Sequence, residues 1–432
     1  MKKILVGSIV IAISIALSCN TTEPPINGKE ITLKLEDVSC TEAWISLTTT
    51  NLQLPVTVTL KQNDQTRSTI NLIKADTLLY INSLLPNTTY KFQVSSIQNQ
   101  VSSNEVTTTT MDTTSHNFTF ETYTFGGQAG TCTLYDVAII DENNIWAVGE
   151  IYLLDSLGQP DPRVYNVVHW DGSEWEVKRI SVLHNGNLIT PPLYGIYAFS
   201  ATDIWLSSGV PVHGDGTNWI QYHLFNMGVL NQDDGYLTKI WGVSTNDFYF
   251  VGTKGTIVHY QNGLWSKIES GTTTNINDVW GIVSDEGDKT IYCAVSFVFQ
   301  PGDRKILRID NNNIVDSITW ESNKRVNSVW AMNKYKQFAC GDGVFINSEP
   351  GVNWKEQSGL SLYYSRQIRG TDVNNVIVVG DYGFFAHYSG STWNVYDDLS
   401  ISGIYLATDI KGNICVAVGL EDSKAIIITG RR

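Results

Sequence analysis

Basic residues and methionine are scarce in this sequence. It has 29 Lys and Arg against 43 Asp and Glu, a formal charge of −14, and only 4 Met among 432 residues. Proteins that bind nucleic acid concentrate Lys and Arg against the phosphates, so the acidic balance argues against DNA and RNA partners. The 35 Gly, 13 Trp and 20 Tyr favour strands and turns over helices.

Clustered cysteines are lacking too. Apart from Cys19, the five cysteines are scattered without Cys-x-x-Cys spacing, at Cys40, Cys132, Cys293, Cys340 and Cys415. That pattern excludes a zinc cluster and a disulfide framework. We therefore expect no metal and no cofactor.

Long hydrophobic runs are absent except at the start. Residues 4–17 are apolar and follow Lys2 and Lys3, but they are too few to span a bilayer stably and are typical of a secretory signal. The sequence Ala16-Leu17-Ser18-Cys19 then resembles a bacterial lipobox, in which the cysteine is acylated. An ordinary signal peptide whose cleavage site contains a cysteine is the alternative.

The lipobox resemblance implies a location. Residues 1–18 would be removed as a lipoprotein signal peptide, and acyl chains on Cys19 would make membrane anchoring durable. Residues 19–29 would form an extended tether. We therefore expect a lipid-anchored protein of the cell envelope, at the outer membrane or the cell surface.

Residues 30–112 alternate short apolar strands with polar turns, a pattern typical of a β-sandwich. The stretch at 84–94, Leu-Leu-Pro-Asn-Thr-Thr-Tyr-Lys-Phe-Gln-Val, resembles the Leu-x-Pro-x-Thr-x-Tyr-x-Phe-x-Val signature of fibronectin type III domains. That resemblance implies that Tyr90 is the structural corner tyrosine. The family usually has a tryptophan where this chain has Leu47, although Trp44 lies nearby. Such a module is expected to act as a spacer.

From residue 117 onward the chain repeats itself. A hairpin with a fixed His-to-Trp interval recurs, as at 168–175 and 386–393, and so does a β-rich step. The seven step residues are Val137, Ile196, Ile240, Val279, Val329, Ile368 and Ile404. They recur about every 44 residues, the length of a four-stranded propeller blade.

The seventh repeat is short of one strand, while an unassigned strand at 118–123 precedes the first repeat. Pairing these two would close the ring and remove an exposed edge. The expected fold class is therefore all-β, with an immunoglobulin-like (fibronectin type III) sandwich followed by a seven-bladed β-propeller over 117–432 with N-terminal strand closure.

The Trp-Gly steps and Gly-x-x-Trp hairpins resemble those of Asp-box and photosystem-assembly-factor-like propellers of bacterial surface proteins. The Asp-box pattern itself is met only degenerately, at 347–354. The resemblance implies an architecture and not an activity, because function in such folds is carried by loops.

Two sets of residues share a register across the repeats. His169, His213, His259 and His387 suggest a metal site, but separate sheets lie too far apart to surround one zinc ion. Structural hydrogen bonding is therefore favoured for them. The second set is expected to pack between blades rather than to bind a sugar; it consists of Trp241, Trp280, Trp330, Tyr197 and Tyr405.

Four long insertions are the strongest functional signal. Those at 150–163 and 296–304 join the second strand of a blade to its third, and those at 184–192 and 227–236 join one blade to the next, so all four should emerge on one face. Aromatic residues of that face could stack on sugars or hold a peptide. The candidate ligand-binding residues are Tyr152, Tyr165, Tyr222, Phe225 and Tyr236. The alternative is that these rings pack onto the propeller.

The preferred functional hypothesis is a monomeric, non-catalytic binding module for a glycan or protein partner at the cell surface. A carbohydrate-cleaving enzyme, sialidase-like or another glycoside hydrolase or lyase, is the first alternative, and a scaffolding subunit of an envelope assembly is the second. A sialidase would need an arginine cluster, for which the sequence offers Arg163, Arg304, Arg325, Arg366 and Arg369. The opening Arg-Ile-Pro motif of sialidases is absent, and no catalytic residue is predicted.

Overall fold

The structure, a computed structural model, describes residues 28–318, 320, 323–349 and 354–432. The predicted signal peptide at 1–18, Cys19 and residues 20–27 of the predicted tether lie outside these residues. Regular structure in the described part is strand, apart from the short 3-10 helices Thr253–Gly255 and Asp397–Leu399. Neither of these has the length or the apolar character needed to cross a membrane.

Eight strands precede the repeats. In chain order, β1 to β8 are Glu30–Val38, Ala43–Thr50, Val56–Gln62, Gln65–Leu72, Asp76–Ile81, Thr89–Ser96, Val101–Ser102 and Val106–Thr109. Buried and exposed residues alternate along β6, as they do in a strand that buries one face. One sheet has the order β1-β2-β5, and the other has the order β4-β3-β6-β7 with β8 also paired to β6. Trp44 and Leu47 are both fully buried in β2.

The chain divides into two compact units. The first comprises the described residues up to Lys34 together with Leu47–Thr77 and Lys91–Val106. The second comprises Leu35–Ser46, Leu78–Tyr90 and Thr107–Arg432. The second unit therefore contains segments of the predicted 30–112 domain as well as the repeats. Membership of the fibronectin type III family stays a prediction.

The repeats form four-stranded antiparallel sheets, and in blades 1 to 6 the four strands are consecutive in the chain. The strands of blade 1 are Thr133–Asp141, Asn144–Ile151, Tyr165–Trp170 and Trp175–Lys178; of blade 2, Gly195–Ser200, Asp203–Ser207, Pro211–Gly214 and Trp219–Gln221; of blade 3, Leu237–Ser244, Asp247–Gly252, Ile257–Gln261 and Leu264–Ile268. A separate hairpin, Val182–His184 with Asn187–Ile189, lies between blades 1 and 2 in the chain.

The remaining blades follow the same plan. The strands of blade 4 are Ile276–Val283, Lys289–Val295, Lys305–Ile309 and Val315–Ile318; of blade 5, Val326–Ala331, Gln337–Gly341, Gly343–Asn347 and Lys355–Glu356; of blade 6, Ser365–Asp372, Asn375–Gly380, Phe385–Tyr388 and Trp393–Val395; of blade 7, Ile404–Lys411, Ile414–Glu421 and Lys424–Arg431.

The fourth strand of blade 7 comes from the other end of the repeats. Thr119–Phe125 pairs antiparallel with Lys424–Arg431 in an uninterrupted register. This pairing covers an edge that would otherwise expose unpaired backbone groups. The all-β class, the seven-bladed propeller and its N-terminal strand closure are thus confirmed.

One part of the predicted repeat alignment is wrong. In blade 6 the step residue Ile368 pairs with Val378, two residues before the glycine that ends the second strand. The equivalent residue in blade 7, Ala417, pairs with Thr408 and not with Ile404. The sequence is misleading here because Ile404 is followed by an aromatic residue, as are four of the other step residues. The true step residue, Thr408, is polar. Tyr405 accordingly does not share the tryptophan register; Asp409 does.

The tryptophans of this register pack between blades, as predicted. Trp241 lies against Gly281 of the next blade, where a Cβ would come within 2.3 Å of the indole ring. Trp330 lies in the same way against Gly370. Trp280 instead donates its indole N–H to the carbonyl oxygen of Ala331 at 2.8 Å. Small residues opposite large rings therefore set the spacing between successive blades.

Candidate functional site

A β-bulge occurs at the same place in the first strand of almost every blade. In blade 1, Leu134 pairs with Gly149 and Asp136 with Val148, which leaves Tyr135 without a partner. Blades 3, 4, 5, 6 and 7 skip one residue at the equivalent position. In blade 2 the equivalent residue directly precedes the first strand. A bulge re-aims its side chain and is common beside functional sites.

The bulged residues and their equivalent in blade 2 form a ring, which we call the mouth ring. Its members are Tyr135, Tyr194, Thr238, Asn277, Asn327, Arg366 and Leu406, one from each blade, and all of them line a single cavity of about 270 Å³. Each is half-buried, and all except Thr238 lie between two buried neighbours. The cavity lies where the first strands begin. Because the strands are antiparallel, the four long insertions emerge at this same end, which we call the mouth end.

Polar side chains just inside the mouth join successive blades. Asp136 accepts a hydrogen bond from the backbone N–H of Ile196 in the next blade at 3.2 Å. The same arrangement recurs in three other places, where a side-chain oxygen accepts from a backbone N–H of the next blade. Asp278 accepts from Val329 at 3.2 Å, Ser328 from Ile368 at 3.1 Å and Gln367 from Thr408 at 2.7 Å. These bonds satisfy buried backbone donors and hold the ring residues at fixed spacing.

The charges near the mouth are paired. Lys239 lies 2.8 Å from Asp136, and Arg366 lies 2.6 Å from Asp381. Asp278 forms an ion pair of 2.6 Å with Arg369. Arg369 lines a second cavity together with Asp136 and Asp409, which we call the channel. Each formal charge in the lining of the mouth thus has an opposite charge in direct contact.

A further carboxylate lies deeper in the channel. Removal from bulk water raises the pKa of Asp409 to about 6, and the nearby charge of Asp136 adds to this rise. The backbone amides of Ile139 and Ile410 and the guanidinium of Arg369 act in the opposite direction. Among the described residues, no group of His, Cys, Asp or Glu side chains is arranged to hold a metal ion.

The four histidines of one register make equivalent contacts within their own blades. Their Nε2 atoms lie close to a side-chain oxygen at the start of the second strand: Asn144 for His169 at 2.9 Å, Asp203 for His213 at 2.8 Å, Asp247 for His259 at 2.8 Å and Asn375 for His387 at 3.0 Å. They fix the hairpins of the blades and do not converge on a common point.

Three of the predicted ligand-binding residues have internal partners. Tyr152 donates its hydroxyl to Glu150, which raises the pKa of the phenol to about 12. The ring of Tyr165 lies 3.6 Å from the guanidinium carbon of Arg179. Tyr222 packs between Trp205 and Trp265, at centroid distances of 5.5 and 5.4 Å.

The other two predicted residues are exposed. Phe225 is 36% exposed and Tyr236 is 67% exposed. Neither belongs to the mouth ring. Tyr90, the predicted corner tyrosine, is buried, and its hydroxyl accepts a hydrogen bond from the backbone N–H of Leu85 at 2.9 Å. Cys19, the predicted lipid-attachment residue, lies outside the described residues.

Three of the five arginines considered for a sialidase-like site are engaged with carboxylates. Arg325 contacts both oxygens of Asp342, and Arg366 likewise contacts both oxygens of Asp381. Arg369 is buried with Asp278 inside the channel. Binding a substrate carboxylate at these residues would require displacing a protein partner.

The sequence-based search missed the mouth ring. Its signal was available, because each ring residue lies two positions before a step residue, as Tyr135 lies before Val137. Ring residues differ in chemistry from blade to blade, so a search for a repeated residue type passes over them. The wrong register in blade 7 would also have pointed to Ser402 instead of Leu406.

Comparison with known proteins bears on the fold. No protein-family model matches the chain, and no curated protein does. Among solved structures, the structure of YCF48 bound to D1 peptide aligns with a TM-score of 0.54 and 14% sequence identity, over 74% of this chain and 99% of that chain. At this identity the similarity shows the β-propeller fold alone.

Proposed function

We propose that this chain is a lipid-anchored, non-catalytic binding module of the cell envelope that takes a protein or glycan partner at the mouth end of its propeller. The proposal combines the lipobox resemblance of the N-terminus with the surface chemistry of the mouth end. Its location and its anchor rest on the sequence.

The distribution of exposed aromatic rings carries the proposal. The strongly exposed aromatic residues among those described all lie in loops of the mouth end; they are Phe225, Tyr236, Phe299, Tyr363 and Tyr382. Binding surfaces are enriched in such rings, because each gives a large contact area for little loss of side-chain entropy. A propeller of the same fold has been solved with a peptide bound, so a protein partner suits this architecture.

Catalysis is not favoured by the same surface. The arginines and aspartates near the mouth neutralise one another in direct ion pairs. A general acid and base need to be within reach of a substrate to exchange protons with it, whereas these carboxylates are in direct contact with arginine. Binding without chemistry therefore fits the mouth end better than hydrolysis.

Peptide and glycan arrays test the proposal. The full chain, purified in detergent, should bind at least one class of probe. The double variant Tyr236→Ser with Phe299→Ser should weaken that binding by roughly fivefold or more, since two exposed rings contribute about 1–3 kcal/mol together.

Matched controls lie at the opposite end of the blades. Leu264 and Ile314, which are 74% and 61% exposed, lie at or near the turns between third and fourth strands. The double variant Leu264→Ser with Ile314→Ser should bind like the wild type. Absence of any bound probe, or an equal loss in both double variants, would contradict the proposal.

The anchor has its own test. Cells expressing the chain should incorporate a clickable palmitate analogue into it, and Cys19→Ala should abolish the labelling. Cys415→Ala, which changes a fully buried thiol, should leave the labelling intact. Persistent labelling of Cys19→Ala would refute lipid attachment at that residue.

A further inference from the structure

The mouth ring is polar but offers no unpaired charge. Lys239, Asp278 and Arg366 line the cavity, and each is held by an opposite charge at 2.6 to 2.8 Å. A charged ligand would have to break one of these pairs or enter without a counter-charge, and both are unfavourable in a confined site. The net charge of −14 adds repulsion toward acidic polymers.

Apart from the guanidinium of Arg366, which is paired with Asp381, the hydrogen-bonding groups of the ring are amides and hydroxyls. Asn277 and Asn327 contribute carboxamides, and Thr238 contributes a hydroxyl. Contacts within the protein anchor them. Asn277 donates to the carbonyl of Ser296 at 2.9 Å, and Thr238 donates to the carbonyl of Val251 at 3.4 Å. Asn327 donates to the carbonyl of Arg366 at 2.5 Å and accepts from the hydroxyl of Tyr364 at 3.1 Å. Groups of these types both donate and accept, which matches sugar hydroxyls, since those do the same.

Two tyrosines form one side of the ring. The rings of Tyr135 and Tyr194 lie 5.4 Å apart at an interplanar angle of 47°. Burial raises the pKa of both phenols, and Glu150 raises them further, so both hydroxyls are neutral near pH 7. Each half-buried ring presents an apolar face together with a hydroxyl, the combination that covers one face of a sugar ring.

The size of the cavity favours a small ligand over an extended chain. Its volume is about 270 Å³, slightly below the range of about 300–1,000 Å³ typical of sites for drug-sized ligands. A single ring fits such a space, whereas a polypeptide segment needs a groove.

We propose that the mouth ring is a binding site for a neutral saccharide, in which the terminal sugar of an uncharged glycan lies against Tyr135 and Tyr194 and hydrogen bonds to Thr238, Asn277 and Asn327. This inference rests on the proposed binding function of the mouth end and specifies its ligand class. It uses residues that are distinct from the exposed aromatic loop residues.

A glycan titration tests the inference. The detergent-purified full chain is titrated with oligosaccharides ending in glucose, galactose, mannose or N-acetylglucosamine, and with matched oligosaccharides ending in sialic acid or a sulfated sugar. At least one neutral series should bind, and its acidic counterpart should bind roughly tenfold more weakly or not at all.

Variants locate the binding. Tyr194→Ala should weaken neutral-glycan binding roughly tenfold, and Thr238→Trp, which fills the cavity, should abolish it. Tyr135→Phe removes one hydroxyl and keeps the ring, so it should cause a smaller loss and shows that weakening is not due to misfolding. Leu264→Ser at the opposite end should bind like the wild type.

The two proposals fail in different ways. If peptides or acidic glycans bind, and Tyr236→Ser with Phe299→Ser weakens them, while no neutral series binds, the saccharide inference is overturned and the binding function stands. If a neutral glycan binds but Thr238→Trp leaves its affinity unchanged, the mouth ring is not the site, and the inference is likewise overturned.

Discussion

Arg369 of blade 6 forms a two-point ion pair with Asp278 of blade 4, with Nη2 2.6 Å from Oδ1 and Nη1 2.8 Å from Oδ2. Ser328, from the blade between them, donates its hydroxyl to the same carboxylate. The guanidinium also lies 5.0 Å from the centroid of the Trp280 ring. Three consecutive blades are therefore tied together by one buried carboxylate.

Breaking this pair should destabilise the propeller strongly. Arg369→Met leaves Asp278 buried without its counter-charge, so the free energy of unfolding should fall by about 3–5 kcal/mol. Urea unfolding followed by tryptophan fluorescence measures the change. The double variant Arg369→Met with Asp278→Leu should lose less than the single variant, because no charge stays buried. If the free energy of unfolding of Arg369→Met lies within about 1 kcal/mol of the wild-type value, this account of the pair is contradicted.

Gly281 should not tolerate a methyl group. A Cβ at this position would lie 2.3 Å from the tip of the Trp241 ring, so Gly281→Ala should lower the free energy of unfolding by about 1–3 kcal/mol. Trp241→Leu in the same chain removes the opposing ring and should make the alanine less harmful. Additive effects of the two changes in urea unfolding would argue against direct packing.

His387 should make stability depend on pH. Its Nδ1 lies 2.8 Å from Nδ1 of His116, and its Nε2 lies 3.0 Å from the side-chain oxygen of Asn375. Nε2 therefore donates, and the lone pair on Nδ1 accepts from His116. Burial, together with the charges of His116 and Arg432, lowers the pKa of His387 to about 3.

The lowered pKa fixes the direction in which stability changes with pH. An unfolded histidine titrates near about 6.5, so the contribution of neutral His387 is complete above that pH. It is lost as the pH falls toward about 3, at about 1.4 kcal/mol per pH unit. Unfolding midpoints between pH 7 and 4.5 should fall less steeply for His387→Gln than for the wild type. An unchanged slope in His387→Gln would contradict the assignment.

Two lysine–glutamate pairs should differ sharply in their contribution to stability. Lys336 and Glu42, both in the second unit, lie 2.6 Å apart with side chains 1% and 11% exposed. Burial opposes ionisation of Glu42, but Lys336 holds the pKa of its carboxyl below the usual value. Lys91 and Glu105 form an exposed pair at 2.9 Å.

Lys336→Met should therefore lower the free energy of unfolding by about 3–5 kcal/mol, because it leaves a buried carboxylate without its partner. Lys91→Met, the matched control, should change it by less than about 1 kcal/mol. Urea unfolding of both variants provides the comparison. Similar losses in the two would show that burial does not set the strength of these pairs.

Much of the fold could be predicted from the sequence, because a repeated unit reports its period several times over. The number of blades, their four strands and the closing strand at Thr119–Phe125 all follow from the repeat length and one missing strand. The error at Ile404 arose where a single repeat was misread. Local similarity of two residues cannot reveal a strand register that is set by pairing across the sheet.

The candidate site was predicted less well. The insertions indicated the correct end of the propeller, and Phe225 and Tyr236 are exposed there. Tyr165 and Tyr222 pack against Arg179 and Trp265, which are 14 and 43 residues away in the chain, whereas Tyr152 bonds to the nearby Glu150. Sequence gives the presence of an aromatic residue in a loop but not the ring or guanidinium against which it packs.

The sequence by itself determined the period, the acidic balance and the N-terminal lipobox resemblance, since each of these depends on the order and kind of residues along the chain. Only the tertiary structure decided that Tyr135, Asn277 and Asn327 meet in one ring, because bulges in the first strands of separate blades bring them to a single cavity. It also decided that Asp278 faces Arg369 across two blades. Contacts of that kind depend on ring closure, which no local stretch of sequence encodes.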